Sequence, residues 1–137
     1  MAKTIYPLPG GGMRGDPPVQ VAFSNGVKVT GGEMLFISGQ LARDENNQIV
    51  GIGDMGAQTR QIMKNIQSLL EKAGGTINDI VKVTVFITDM SRFKEIHEAR
   101  MEFFHPDHLP ASTMVEISGF TTKDALIEIE AVAVIGG

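Results

Sequence analysis

The alternation of apolar and polar residues is clearest near the end of the chain, between residues 125 and 134. Side chains alternate across a strand, so one face of this predicted strand is wholly apolar and consists of Ala125, Ile127, Ile129, Ala131 and Ala133. The opposite face consists of Leu126, Glu128, Glu130, Val132 and Val134. Valines are uncommon on a solvated face and carboxylates are uncommon in a core. The second face is therefore expected to be partly covered, with at least one glutamate lining a cavity.

Two segments have the spacing of amphipathic helices. Asp54 is expected to cap a helix that runs to about residue 73, where apolar residues recur every three or four positions. Gly74 and Gly75 are expected to end it. Ser91 is expected to cap a second helix that runs to about residue 104, before Pro106.

Shorter alternating runs predict the remaining strands. Residues 80–88 predict a buried strand, and residues 113–117 a further one. Residues 27–29 and 34–38 predict a hairpin with its turn at Gly31 and Gly32. The order of elements predicts one α+β domain over residues 1–137, in which two helices cover one face of a mixed sheet. The other face has no helix left to cover it, so oligomerisation is expected. Residues 1–18, rich in glycine and proline, are predicted to be an irregular arm.

Composition narrows the classes of function. The 137 residues include no cysteine, which excludes disulfides, thiolate metal sites and a thiol nucleophile. The formal net charge is −4 and the cationic residues are scattered, so no nucleic-acid partner is expected. The sequence has no run of membrane-span or signal-peptide length. A soluble cytoplasmic protein without membrane contact is expected.

Two pairs of residues are candidates for chemistry. Glu128 and Glu130 share a strand face, and a partly buried carboxylate can act as an acid or base. The alternative is a solvated or salt-bridged strand edge. His97 and Arg100 lie one helical turn apart and could orient an anionic substrate or relay a proton. The alternative is a histidine on the exposed face of the helix.

Other polar residues give weaker signals. Residues 105–108 read His-Pro-Asp-His, but no second pair of ligands accompanies them, so no metal site is expected. Ser38 and Ser112 lack the surroundings of a hydrolase nucleophile and are better treated as hydrogen-bond donors.

Several segments occur together in a familiar order: 35–40 (LFISGQ), 57–60 (AQTR), 65–74, 81–89, 103–104 (FF), 109–111 (LPA) and 127–133. Together they resemble the Rid family, also called YjgF/YER057c/UK114 or L-PSP proteins, over nearly all of the chain beyond about residue 22. The resemblance implies a chorismate-mutase-like α+β fold and a homotrimer in which the sheets form a barrel with ligand clefts between subunits. It also implies hydrolysis of reactive enamines and imines, such as 2-aminoacrylate, to a keto acid and ammonia without a cofactor.

The resemblance assigns roles to individual residues. Glu128 matches the family's water-activating glutamate, and Ser38 matches the serine of its Ser-Gly-Gln strand. Phe23 falls where an aromatic residue lines the cleft. Met114 stands at a position that is often cysteine, and His97 at one that is often asparagine. His97, whose imidazole could relay a proton, is a secondary acid–base candidate.

The family's carboxylate-binding arginine does not carry over, because Ser112 stands at its position. A serine hydroxyl offers one neutral donor in place of two charge-assisted hydrogen bonds. The sequence therefore predicts poor activity on 2-aminoacrylate. Two alternatives remain open: another arginine supplies the cation, with Arg100 preferred over Arg14 and Arg43, or the substrate is uncharged.

The leading hypothesis from sequence is an imine or enamine hydrolase with Glu128 as general base and a small-molecule substrate. One alternative is a trimeric binding protein or sensor that uses the same cleft without turnover. The other is an endoribonuclease, which the acidic net charge disfavours.

Overall fold

The computed structural model describes residues 2–136. Its strands are β1 (Ala2–Tyr6), β2 (Met13–Arg14), β3 (Val19–Gln20), β4 (Gly26–Thr30), β5 (Glu33–Gln40), β6 (Ile80–Ile87), β7 (Ala111–Glu116) and β8 (Ile127–Ile135). Its α-helices are α1 (Met55–Lys72) and α2 (Phe93–Met101). Four strands form the main sheet in the order β5-β8-β6-β7, in which β8 is antiparallel to both neighbours and β6 is parallel to β7.

The main sheet has one covered face and one open face. The apolar face predicted for β8 is buried at Ile127, Ile129, Ala131 and Ala133, which pack in the core with both helices. On the open face, the side chains of Met34 and Phe36 are 62% and 71% exposed. This mixed sheet with two helices on one face confirms the predicted fold class.

The two helices begin for different reasons. The carboxylate of Asp54 accepts a hydrogen bond from the backbone N–H of Ala57, as expected of a helix cap. Before α2, the carboxylate of Asp89 accepts from both the backbone N–H and the hydroxyl of Ser91 and caps a short 3-10 turn. The prediction that Ser91 caps the helix is therefore wrong, and α2 begins two residues later. No helix within residues 2–136 is long and apolar enough to cross a membrane.

The amino-terminal region differs from the sequence prediction in two ways. Residues 2–6, predicted to be irregular, form β1, in which Lys3 and Ile5 are half-buried. The partner of β4 is β1, while β5 pairs with β8, so the predicted hairpin is wrong. Gly31 and Gly32 do turn the chain, with φ of 74° and 78°, but the strands they join belong to different sheets. A local turn signal cannot show which strands pair.

A buried glutamine fixes the entry to β8. Gln58, on α1, is 0% exposed. Its Nε2 donates to the carbonyls of Gly51 at 3.2 Å and Asp124 at 2.8 Å, and its Oε1 accepts from the N–H of Leu126 at 2.9 Å. Buried backbone groups need such partners, so Gln58 holds the loop that leads to Glu128 in β8.

Candidate functional site

Arg100 is the centre of a cluster that we call the arginine cluster; its members are Phe23, His97, Arg100 and Ser112, of which His97 and Arg100 are buried and the other two are half-buried. The side chain of Arg100 is 0% exposed. Its Nη1 donates to Oγ of Ser112 at 3.2 Å, and its Nη2 donates to Nδ1 of His97 at 3.2 Å. Its Nε is buried without a hydrogen-bond partner, and no carboxylate of residues 2–136 forms an ion pair with it.

The cluster therefore carries an uncompensated charge. Burial lowers the pKa of Arg100 to about 10, which still leaves the guanidinium charged at neutral pH. A buried charge normally has a counter-ion, because removing a charge from water is unfavourable. The partners of Arg100 inside the chain are a neutral hydroxyl and an imidazole. The arginine cluster is thus suited to an anion that the chain itself does not provide.

His97 is a neutral hydrogen-bond acceptor in this arrangement. Its Nδ1 accepts from the backbone N–H of Ala22 at 3.1 Å as well as from Arg100, which always donates, so the ring proton resides on Nε2. Burial, and to a smaller extent the charge of Arg100, lowers the pKa of His97 to about 3. The side chain is 5% exposed and lies between the rings of Phe23 and Phe93, so the alternative of a surface histidine is wrong.

The His97 environment predicts a stability that falls in acid. The unfolded chain takes up a proton near the ordinary pKa of 6.5, whereas the folded chain does not until about pH 3, so stability is lost as pH falls below 6.5. Between pH 7 and pH 5 this group alone should lower the free energy of unfolding by about 2 kcal/mol. His97→Asn keeps an acceptor but cannot titrate.

Urea unfolding of both proteins at the two pH values, at one protein concentration, measures the difference. The variant should show a smaller loss of stability than the wild type by about that amount. An identical loss in both proteins would contradict the assignment of a neutral His97.

A second group of residues, which we call the glutamate site, consists of Ser38, Gly39 and Glu128. The register of β5 against β8 is irregular between Ile37 and Gln40, which places Ser38 and Gly39 at a bulge. A Cβ atom at Gly39 would lie 2.5 Å from both Cδ and Oε1 of Glu128, so the carboxylate rests directly over the glycine. Ser38 is exposed beside it, and Glu128 is half-buried.

The two glutamates of β8 have different surroundings. Glu130 is exposed and lies opposite Thr84, whereas Glu128 lies opposite Phe86. Neither is in an ion pair with another described residue, which does not support the alternative of a salt-bridged strand edge. Nor does the carboxylate of Glu128 have a hydrogen-bond partner between residues 2 and 136. Glu128 is therefore a half-buried carboxylate that lies over Gly39 and has no hydrogen-bond partner among the described residues.

The arginine cluster and the glutamate site lie on opposite faces of the main sheet. Residues paired in register share a face. Ser112 pairs with Val83, which is buried against the helices, whereas Glu128 pairs with Phe86 on the open face. Met114, two residues after Ser112, shares its face and is half-buried. A single chain thus does not bring Glu128 and Ser112 to one site.

The remaining candidates have local roles. Nδ1 of His105 accepts from the N–H of Asp107 and caps a short turn. No group of three or more metal-ligating side chains occurs in the described part of the chain. Arg43, one of the candidate cations, donates to the carbonyl of Asn47 and the hydroxyl of Thr122, in a polar cleft of 380 Å³.

Sequence reasoning missed two features of these sites. The backbone N–H of Ala22 completes the hydrogen bonding of His97, and Gly39 admits the carboxylate of Glu128. The first has no signal in the sequence, because backbone donors are present at almost every residue. The second was visible only as part of the Ser-Gly-Gln segment.

Comparison with known proteins identifies the family. The family model described as Endoribonuclease L-PSP matches residues 13–135. A RutC family protein of Pyrococcus horikoshii is 42% identical over 111 residues, which cover 81% of this chain and 85% of that protein. The 3-aminoacrylate deaminase RutC of Acinetobacter baylyi is 35% identical over 119 residues, which cover 87% of this chain and 91% of that enzyme.

A solved structure agrees with this match. The Rid family protein YyfB of Yersinia pestis, whose function is unknown, superimposes with a TM-score of 0.84 at 27% identity, and the match covers 98% of this chain and 100% of that one. The matched residues include both the arginine cluster from Phe23 onward and the glutamate site. The chain belongs to the Endoribonuclease L-PSP family, which contains the Rid and RutC proteins.

Proposed function

We propose that this protein hydrolyses a small enamine or imine that carries a carboxylate, and releases ammonia. The observation that carries the proposal is the carboxylate of Glu128, half-buried over Gly39 with no hydrogen-bond partner among residues 2–136. Such a group can accept a proton from water. The name of the A. baylyi relative, 3-aminoacrylate deaminase, supports the substrate class, since 3-aminoacrylate is both an enamine and a carboxylate.

The proposed reaction needs a base, a water molecule and a group that orients the substrate. The enamine first takes the imine form by moving a proton from nitrogen to carbon. Glu128 then accepts a proton from water while the oxygen bonds to the imine carbon and the C=N electron pair goes to nitrogen. Glu128 returns that proton to nitrogen, which gives a neutral carbinolamine. The carboxylate then accepts the hydroxyl proton and passes it to nitrogen while the C=O bond forms and the C–N bond breaks, so ammonia leaves a carbonyl product. This hydrolysis neither oxidises nor reduces the substrate, so side chains suffice and no cofactor is required.

We place the reaction between subunits of a homotrimer. Glu128 and Ser112 are on opposite sheet faces within one chain, so a second copy is needed to bring them together. The open face also exposes the large apolar side chains of Met34 and Phe36, which favours its burial against another copy. Phe23, Ser38 and Met114 then line the cleft, as the sequence predicts.

We assign His97 a positioning role instead of the acid–base role expected from sequence. Its Nδ1 is occupied by two N–H donors, and its lowered pKa keeps the ring neutral throughout the physiological range. A group with these properties holds the guanidinium of Arg100 in place. Proton transfer is left to Glu128.

The direct experiment is an ammonia-release assay on the purified protein. 3-Aminoacrylate and 2-aminoacrylate, each generated in the assay mixture, test the substrate class. An increase in rate that is proportional to protein concentration is expected with at least one of them. Rates equal to the buffer reaction with both substrates would contradict the proposal.

Gly39→Ala should impair turnover without unfolding the protein. The added methyl group would displace the flexible carboxyl end of Glu128, since Gly39 does not have the positive φ that strains other residues. A displacement of about 1 Å can lower kcat by about 100-fold, whereas the change in unfolding free energy should stay within about 1 kcal/mol. Gly119→Ala is the matched control, because a Cβ there meets no atom within 4 Å. Full activity of Gly39→Ala would show that the position of the Glu128 carboxylate does not matter.

A further inference from the structure

The hydroxyl of Ser112 lies between the buried guanidinium of Arg100 and the outside of the sheet edge, where a ligand could contact it. A serine oxygen can accept and donate hydrogen bonds at the same time. Oγ of Ser112 accepts from Nη1 of Arg100, and its own proton has no acceptor in the part of the chain that the structure describes. Ser112 is half-buried at the edge strand β7, whereas Arg100 is fully buried behind it. The hydroxyl proton can therefore point away from the guanidinium, toward a ligand.

The charge behind the hydroxyl makes it an unusually good donor. A hydroxyl that accepts from a cation is polarised, and hydrogen bonds strengthen one another along such a chain in a low-dielectric interior. An anion at Ser112 would also experience the attraction of the guanidinium, which is weakly screened because it is buried. One serine backed by one arginine thus offers both the direction and the charge needed by a monoanion.

A purely structural role for Arg100 explains the arrangement less well. Buried arginines that stabilise a fold are paired with carboxylates or satisfied by backbone acceptors. Arg100 instead contacts one hydroxyl and one neutral imidazole, and its Nε has no partner within residues 2–136. An apolar side chain of similar length would fill the same space without the unfavourable burial of a charge. The positive charge of Arg100 at this position is explained if it attracts a ligand.

We propose that Arg100 and Ser112 together form a carboxylate anchor, in which Arg100 supplies the charge from the interior and the hydroxyl of Ser112 donates the hydrogen bond to the ligand. The proposal rests on the proposed function, because the ligand is the carboxylate of that substrate class. It assigns Ser112 a binding role in its own right. It also assigns Arg100 a role at a distance, since its guanidinium does not reach the surface in this structure.

Binding of non-reacting ligands tests the anchor separately from catalysis. Propionate is the probe, and propionamide, which has nearly the same shape without charge, is the matched control ligand. Affinities are measured by NMR titration of the wild type, Arg100→Met, Ser112→Ala and the double variant. Because no turnover is involved, a failure of the deaminase assay and a failure of the anchor are separate results.

The wild type should prefer propionate, and each single variant should lose about tenfold or more of its propionate affinity while its propionamide affinity stays unchanged. The double variant should lose little more than either single variant, because the two groups act as one unit. The melting temperature of Arg100→Met should equal or exceed that of the wild type, as expected when an uncompensated buried charge is removed.

Three results would overturn the anchor. The first is no preference for propionate in the wild type, and the second is wild-type propionate affinity in either single variant. The third is an equal loss of affinity for both ligands in Arg100→Met together with a lower melting temperature. The last result would make Arg100 a structural residue. Ser112→Ala removes a single oxygen atom and keeps the test decisive if Arg100→Met does not fold.

Discussion

Glu128→Gln is expected to lower kcat for ammonia release by about 10²- to 10⁴-fold, the range for loss of a general base. The amide has nearly the same shape as the carboxylate and can occupy the same position over Gly39, but it does not accept a proton from water at neutral pH. Because the carboxylate has no hydrogen-bond partner among residues 2–136, its replacement leaves no buried donor unsatisfied. The unfolding free energy should therefore remain close to that of the wild type.

Glu130→Gln is the matched control for this experiment. It makes the same chemical change two residues further along β8 and on the same face of the sheet, but at an exposed side chain. The control should keep wild-type kcat. Steady-state kinetics of the three proteins separate the two carboxylates. Comparable losses in both variants would point to a general effect of acidic charge on this face, and full activity of Glu128→Gln would remove Glu128 from the mechanism.

The sequence predicts an element well when the spacing of its apolar residues matches the face that the fold buries. β8 alternates because one face packs against the helices and the other does not. The alternation alone predicts a partly covered second face with at least one glutamate lining a cavity, and the family resemblance distinguishes Glu128 from Glu130. α1 likewise has a local cap at Asp54 and an apolar stripe that is buried at Ile62 and Ile66. In these segments short-range pattern and long-range packing require the same residues.

The elements that sequence misses depend on partners distant along the chain. β4 pairs with β1, at least twenty residues earlier, and nothing near Gly31 distinguishes this from a hairpin with β5. The contact of Arg100 with Ser112 likewise joins two elements whose relative position the local sequence does not specify. Helical spacing predicts that Arg100 and His97 share a face, but the approach of Ser112 depends on where β7 lies beside α2.

The separation of the two sites on opposite faces could not be predicted either. Alternation groups the residues of one strand into two faces, but the relation between strands requires the register. The pairs Ser112–Val83 and Glu128–Phe86 show that Ser112 and Glu128 of one chain lie on opposite faces of the sheet. In the proposed trimer, each cleft would take Glu128 from one chain and Ser112 with Arg100 from its neighbour. This arrangement predicts how oligomers made of two different variants behave.

At substrate concentrations below KM, mixing Glu128→Gln with Arg100→Met should give a higher rate of ammonia release than either variant gives alone. If each site takes Glu128 from one chain and Arg100 from its neighbour, some mixed trimers contain a site in which both residues are intact. For equal amounts and random assembly, about one quarter of the sites should be complete, since each of two positions is intact in half of the chains. The measurement is ammonia release after joint unfolding and refolding, compared with the same mixture without subunit exchange.

A second mixture makes this experiment decisive. Wild type mixed with the Glu128→Gln/Arg100→Met double variant should also give about one quarter of the wild-type activity when the site is shared between chains. A site within one chain predicts a different pair of results, namely about half of the activity in this mixture and no gain over the separately measured variants in the mixture of single variants. The two mixtures have the same overall content of intact residues and differ only in how these are distributed among chains. Their ratio therefore reports whether Glu128 and Arg100 act across a subunit boundary, independently of the absolute rate.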